Sequence, residues 1–116
     1  MPFLFYGITN VLSLDVSNFD TSNVEKMNYM FANNTNLVSL DLSNFITDKV
    51  TTVERMFAGN YDMVNLDMRN ADFSNVTNSD YMFHYVNNNI EVIVKDATAK
   101  TFIESQLTNG GTVVIA

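Results

Sequence analysis

The sequence contains no cysteine, and this excludes disulfide bonds, thiol catalysis and thiolate metal sites. Basic residues are also scarce: 6 Lys and Arg stand against 13 Asp and Glu, which gives a net charge of -7. Such a chain repels phosphate backbones and anionic lipids, so neither nucleic acid nor a membrane surface is an expected partner. The absence of cysteine is compatible with the cytosol and equally with a cysteine-free surface protein.

A long apolar run is missing as well. The opening segment "MPFLFYGI" is apolar, but it lacks the basic region and the cleavage site of a signal peptide and is too short to cross a bilayer. We therefore predict neither a signal peptide nor membrane insertion. The 116 residues, of which 47% are hydrophobic, suffice for one folded domain with a real core.

One repeated segment dominates the rest of the sequence. The copies "VLSLDVSNF", "LVSLDLSNF" and "MVNLDMRNA" carry Asp15, Asp41 and Asp67 at equal spacing, and we call this interval the repeat length. Other columns keep the same register, among them the pairs Met30-Phe31, Met56-Phe57 and Met82-Phe83. Such self-similarity is typical of architectures in which each copy packs on its neighbours, so the pattern predicts a short solenoid.

Each copy predicts a strand, a turn and a short helix. Leu40 and Leu42 flank Asp41 with the period of two that marks a strand with one buried face. Ser22 and Glu25 match the capping box that begins a helix. Apolar residues then follow at helical spacing and are expected to fill the core, as at Val24, Met27, Met30 and Phe31.

The two ends depart from the repeat. Over residues 96–116 we predict a C-terminal cap, because "DATAKTFIESQL" has helical spacing, "TNGG" ends it and "TVVIA" is typical of a final strand. Leu4 and Phe5 align with Met30 and Phe31, so the first copy is truncated. We expect a single domain of repeats over 1–95 plus the cap. The incomplete copy indicates either a fragment of a longer array or an end that packs on another molecule, self-association included.

The residues "LSLDVSNFDTSNVEKMNYMF" and "LVSLDLSNF" resemble the repeat of BspA-like leucine-rich-repeat surface proteins of bacteria. The resemblance extends roughly from Leu4 to Lys95, and "VIVKDATAKTFIESQL" with "TVVIA" is similar to the closing segment of such arrays. It implies an α/β repeat fold, a right-handed leucine-rich-repeat-like solenoid with parallel strands and short helices. It also implies a secreted or cell-surface location and adhesion to a host or bacterial surface protein or glycan. The departures from the family's pattern are Ile46, Lys49, Ala71, Phe73 and Ser79.

The outward positions of the strands form the candidate partner-binding face. In a parallel stack, Asp15, Asp41 and Asp67 would form a ladder with a spacing of about 4.8 Å. Asp41 would then have a like charge on each side, which predicts a raised pKa, while Arg69 and Lys95 could neutralise Asp67. The predicted face consists of Ser13, Asp15, Ser17, Ser39, Asp41, Ser43, Asn65, Asp67 and Arg69.

Catalytic and metal motifs are not found. His84 is the single histidine, and neither a nucleophile elbow nor a phosphate-binding loop occurs, so we predict no enzyme and no cofactor. Calcium would need six to eight oxygen ligands, and neither an EF-hand loop nor a glycine-rich nonapeptide is present, so we predict no metal site. Two functions stay open: a binding module that presents the Asp ladder, or a structural spacer without a ligand. A further contact surface could involve Tyr29, Tyr61, Tyr81 and Tyr85.

Overall fold

The computed structural model describes residues 1–116 as a small α/β domain with four parallel strands and one helix. The strands lie side by side in chain order. The elements are β1 (Ser39–Asp41), β2 (Asn65–Asp67), β3 (Glu91–Val94), α1 (Ala97–Gln106) and β4 (Thr112–Ile115).

The predicted strand register is confirmed in the sheet. Leu40 pairs with Leu66 and Leu66 with Val92, so the neighbours in β1, β2 and β3 are one repeat length apart. All three side chains point into the core and are almost fully buried, whereas Asp41 at the end of β1 is exposed. The alternation of the sequence therefore specifies both the buried face and the pairing.

The strand expected in the first copy does not form. The segment around Asp15 is linked to the backbone leading into β1 by the bond from the Val38 N–H to the Leu12 carbonyl at 3.3 Å, and the Asn44 side chain donates to the Val16 carbonyl at 2.9 Å. Val16 is nevertheless buried, so the inward position of this copy still packs against the core. A segment at the edge of a sheet receives about half of the ladder bonds that hold a central strand, which explains the irregular backbone.

The short helices expected in the copies are also absent, and turn segments stand in their place. These occupy residues 2–7, 28–33, 54–59 and 80–85. Tyr29 and Arg55 have positive φ angles of 59° and 51°, which interrupt a right-handed helix. Their N–H groups bond to the next copy instead, to the carbonyls of Glu54 at 2.9 Å and Asp80 at 3.0 Å. The predicted capping box is likewise wrong, because Ser22 donates its N–H to Asp20 and no helix follows.

The core is continuous from one copy to the next. Phe5, Phe31, Phe57 and Phe83 form a stack of nearly parallel rings, with centroids 5.5, 5.8 and 5.4 Å apart. The prediction that the methionines of the repeat fill the core is confirmed, since they are all buried: Met27, Met30, Met56 and Met82. Two buried asparagines join this core through their side-chain NH2 groups. Asn34 donates to the carbonyls of Phe5 at 2.8 Å and Phe31 at 2.7 Å. Asn60 donates to the carbonyls of Phe31 at 2.9 Å and Phe57 at 2.6 Å, while its side-chain oxygen has no hydrogen-bond partner.

The helix and final strand predicted after residue 96 are present. Asp96 caps α1 by accepting a hydrogen bond from the Ala99 N–H at 2.9 Å. Phe102 of α1 stacks on Phe73 with 4.8 Å between ring centroids, and Ile103 is fully buried. Strand β4 pairs with β3 in parallel, so this segment closes the sheet beyond the last repeat.

Candidate functional site

Part of the predicted face is brought together by strands β1 and β2. In register, Ser39 lies beside Asn65 and Asp41 beside Asp67, with Ile93 next in the row. We call the outward surface of these three strands the strand face. A shallow depression of about 160 Å³ crosses it, lined by Ser39, Leu40, Asp41, Asn65, Leu66, Asp67, Glu91 and Ile93. A depression that is open to solvent can receive a partner without any rearrangement of the sheet.

The predicted residues of the first copy lie outside the sheet. Ser13, Asp15 and Ser17 are exposed in the irregular segment before β1, so the Asp ladder has two members within strands and one beside them. The Asp15 carboxylate accepts hydrogen bonds from the Ser17 N–H at 3.0 Å and from the Ser17 hydroxyl at 2.6 Å. Asp15 therefore makes these local hydrogen bonds although its segment forms no strand.

That shared role explains why the aspartate recurs. Each of the three carboxylates accepts the backbone N–H two residues further on: the Asp41 bond to Ser43 is 2.9 Å long and the Asp67 bond to Arg69 is 3.1 Å long. This is an Asx turn, which ends the strand and redirects the chain. The signal was in the sequence, since Asp15 and Asp41 are both followed by Ser after one residue.

The expected rise in the pKa of Asp41 is wrong. The Ser43 hydroxyl and the Ser43 backbone N–H hold the pKa of Asp41 below its ordinary value of 3.8, and the positive charge of Arg69 adds to this. Hydrogen bonds to the ionised form of Asp41 outweigh the effect of burial on this exposed strand end. The same contacts from Ser17 lower the pKa of Asp15, so both carboxylates are charged at neutral pH.

The third carboxylate is paired within the chain. The guanidinium of Arg69 forms a salt bridge with Asp67. Its Nε lies 3.0 Å from both carboxylate oxygens, and its Nη2 lies 2.7 Å from Oδ2. The hydrogen bond to Asp67 raises the pKa of Arg69 further. Lys95, also expected near Asp67, instead lies 3.8 Å from Asp72. Asp15 and Asp41 are thus the ladder members without a salt bridge.

Comparison with protein families identifies the repeat region. The family described as "Mycoplasma protein of unknown function, DUF285" matches residues 1–95. The chain belongs to the DUF285 family. No curated protein and no solved structure matches the chain.

The largest cavity is lined by residues on both sides of the point where the DUF285 match ends. The match stops at Lys95, and α1 and β4 lie beyond it. A cavity of about 350 Å³ opens between the corner of the third copy and the start of α1; it is lined by Asp72, Phe73, Ser74, Lys95, Asp96, Thr98, Ala99 and Phe102. Sequence reasoning missed it, because the contact between Phe73 and Phe102 joins segments that share no repeat register.

Aromatic side chains line a second surface of the DUF285 region, along the turn segments. Phe3 stacks on Tyr29 with 4.6 Å between ring centroids. The Arg55 guanidinium then lies 5.8 Å from the Tyr29 ring centroid and 4.8 Å from that of Tyr81. These four positions are successive members of one column of the repeat, so that column holds three aromatic rings with one cation between the second and the third. Tyr29 and Tyr81, two of the predicted contact residues, thus lie on one surface.

Two further observations concern metals and membranes. Nowhere do three His, Asp or Glu side chains converge in the way that metal ligands do. The one helix, α1, has neither the length nor the apolar character of a membrane span.

Proposed function

We propose that this DUF285 chain is a non-catalytic binding module, built as a short right-handed solenoid of the BspA-like leucine-rich-repeat type. In this proposal it belongs to a secreted or surface-attached bacterial protein and binds a surface protein or glycan of a host or another bacterium. The solenoid is supported by the constant spacing of one repeat length in strand pairs such as Leu40 with Leu66. The phenylalanine stack, which has the same period, supports it independently.

The observation that carries the binding proposal is the row of ionised carboxylates on the open strand face. Asp41 is exposed, its pKa is lowered by Ser43, and it has no salt bridge. Its neighbours Ser39 and Asn65 carry hydroxyl and amide groups that can donate or accept hydrogen bonds. A basic protein surface would pair with the carboxylates, and a glycan would use the hydroxyl, amide and carboxylate groups together.

The test is binding of the purified chain to arrayed matrix proteins, mucins and glycans at physiological salt. A triple variant, Asp15→Asn with Asp41→Asn and Asp67→Asn, removes the charges while the Asn side-chain oxygen can still accept the bond of each Asx turn. We expect it to bind about 2- to 30-fold more weakly, from roughly 0.2–1 kcal/mol for each exposed ion pair that a partner makes with Asp15 and Asp41, the two carboxylates without a salt bridge. The binding of the unchanged chain should weaken as salt increases.

The chain offers a matched control. Asp20, Asp48 and Asp72 lie outside the strand face, and their replacement by Asn removes the same number of charges. Two of them, Asp20 and Asp72, also accept the N–H of a serine two residues on. Equal loss of binding in both triple variants would mean that net charge alone drives association and would reject the strand face as the site.

The alternative is a structural spacer, and the Asx turns favour it. Because Asp15, Asp41 and Asp67 all bond within the chain, local backbone geometry alone accounts for their recurrence. A spacer would bind nothing on the arrays while remaining folded. Binding that disappears in the triple variant of Asp15, Asp41 and Asp67 but not in the control variant would exclude a spacer.

A further inference from the structure

The turn segments are joined by hydrogen bonds that all run in one direction. N–H groups at alternate residues of one segment donate to carbonyls of the next segment along the chain. Tyr29 and Phe31 donate in this way to Glu54 and Met56, each at 2.9 Å. The next junction repeats the pattern: the donors Val53, Arg55, Phe57 and Gly59 bond at 2.9, 3.0, 3.0 and 2.8 Å.

The last turn segment, residues 80–85, has no acceptor on its far side. By the register of the repeat, its donors are the N–H groups of Tyr81, Phe83 and Tyr85, and none of these donates a hydrogen bond in the structure. We call this row the donor edge. Backbone N–H groups are obligatory donors, so a regular row without partners is an available binding edge of the kind that unpaired strands present.

The donor edge faces a cleft. A space of about 210 Å³ lies between this segment and the C-terminal end of α1, and it is lined by Tyr81, Met82, Phe83, His84, Ser105, Gln106 and Thr108. The Tyr81 ring at its rim is 57% exposed and meets the His84 ring with 5.0 Å between centroids. Neither Lys nor Arg lines the cleft, and the chain as a whole carries a net charge of -7. These features suit a cationic partner better than an anionic one.

The contact between the turn segments 54–59 and 80–85 shows, within this chain, how a cationic residue binds at such an edge. Arg55 donates its N–H to the Asp80 carbonyl, and its guanidinium lies between the rings of Tyr29 and Tyr81. Backbone pairing and cation–π contact therefore coexist at one position of the repeat. One step further along the same column, a residue above Tyr81 would meet this exposed ring, whose neighbours within the chain are the Arg55 guanidinium and the His84 ring at 5.0 Å.

We propose that the donor edge binds an extended peptide segment of a partner protein, with an arginine seated over Tyr81. The carbonyls of the peptide accept hydrogen bonds from Tyr81, Phe83 and Tyr85, which is recognition by addition of a strand-like segment to an open edge. The arginine continues the alternation of Tyr29, Arg55 and Tyr81. This site is separate from the strand face, so it stands or falls independently of the function proposed above.

The experiment follows backbone amides by NMR in the 15N-labelled chain. The probe is a short acetylated and amidated peptide of alternating valine and threonine with one central arginine. We expect the N–H groups of Tyr81, Phe83 and Tyr85 to shift and to exchange more slowly with solvent when the peptide is added. Replacing the arginine by neutral citrulline should weaken binding roughly 2- to 5-fold, the range expected for an exposed cation–π contact.

Protein variants locate the arginine. Tyr81→Leu removes the ring and should cause the same loss, whereas Tyr81→Phe keeps the ring and should bind normally. Phe3→Leu is the matched control, because Phe3 occupies the same column at the opposite end and is 50% exposed. It should leave peptide binding unchanged.

Three results would overturn the proposal. One is an absence of slowed exchange at the three donor-edge amides at saturating peptide. Another is a set of shifts centred on Ser39 and Asp41, which would assign the peptide to the strand face by charge alone. The last is protection that rises with protein concentration without peptide, which would assign the donor edge to a second copy of this chain.

Discussion

Replacing Phe57 by alanine tests how much the stack of phenylalanine rings contributes to the stability of packing between copies. Phe57 is fully buried, and its ring lies between those of Phe31 and Phe83 with interplanar angles of 3° and 14°. Removing it leaves a gap in the middle of the stack, with packed copies on both sides that can close over it only by moving against their hydrogen-bonded neighbours. The loss should therefore lie at the upper end of the usual range for buried aromatics.

The magnitude can be divided into two contributions. Truncation of a buried Phe to Ala costs about 3–5 kcal/mol. Phe57→Leu keeps much of the apolar volume but loses two ring contacts, each worth about 0.5–1.5 kcal/mol, so we expect it to cost about 1–3 kcal/mol. A domain of this length has about 6–17 kcal/mol of stability in total, so both variants should fold.

The assay is urea unfolding followed by circular dichroism. With a slope of about 2 kcal/mol per molar urea, the midpoint should fall by about 1.5–2.5 M for Phe57→Ala. Phe3→Ala, which removes a half-exposed ring from the first turn segment, should change the midpoint little. Equal losses for Phe57→Ala and Phe3→Ala would refute the reasoning, and an unchanged midpoint for Phe57→Leu would assign nothing to ring stacking.

Two further predictions concern the turns. Gly59 has a φ of +76°, and a Cβ there would overlap the Asn33 side chain, while Gly7 has a φ of +69° with open space around it. By thermal unfolding, Gly7→Ala should therefore cost about 1 kcal/mol and Gly59→Ala about 1 kcal/mol more, because Asn33 must leave its hydrogen bond with the Tyr6 hydroxyl. The serine contacts hold the pKa of Asp15, Asp20 and Asp41 below the ordinary 3.8, so their stabilisation is complete above that value and is lost as pH falls through the lower folded-state pKa. The melting temperature should be level at mildly acidic pH and fall at stronger acidity; a rise on acidification would indicate that carboxylate repulsion dominates.

The strand register was predictable from the sequence because two periods agree there. Alternation around Leu40 and Leu66 fixes which face is buried, and the repeat length fixes the pairing. The turn segments were mispredicted as helices because burial alone cannot distinguish them. Met30 and Phe31 in the turn, and Met27 directly before it, are buried, as they would be on one side of a helix. The difference lies in backbone angles, which residue type seldom reveals for Tyr or Arg.

One column did carry a signal for the turns. Gly7, Asn33 and Gly59 occupy equivalent positions and all have positive φ, and glycine and asparagine are the residues that tolerate it best. Tyr29, Arg55 and Tyr81 adopt positive φ angles without such a preference. Tyr29 and Arg55 donate their N–H groups to the next copy and Tyr81 does not, so these hydrogen bonds are not required for the conformation, and residue type does not reveal it either.

Recurrence and recognition point to different residues in this molecule. Asp41 recurs because each strand end needs an Asx turn, so its repetition reports backbone geometry before it reports a ligand. Surface positions at which the residue differs between copies are not required for an Asx turn. Arg69 stands where the two preceding copies have serine and binds the aspartate of its own turn, and Arg55 interrupts an aromatic column. Specificity for a partner would therefore come from the residues in which the copies differ, held in register by the residues in which they agree.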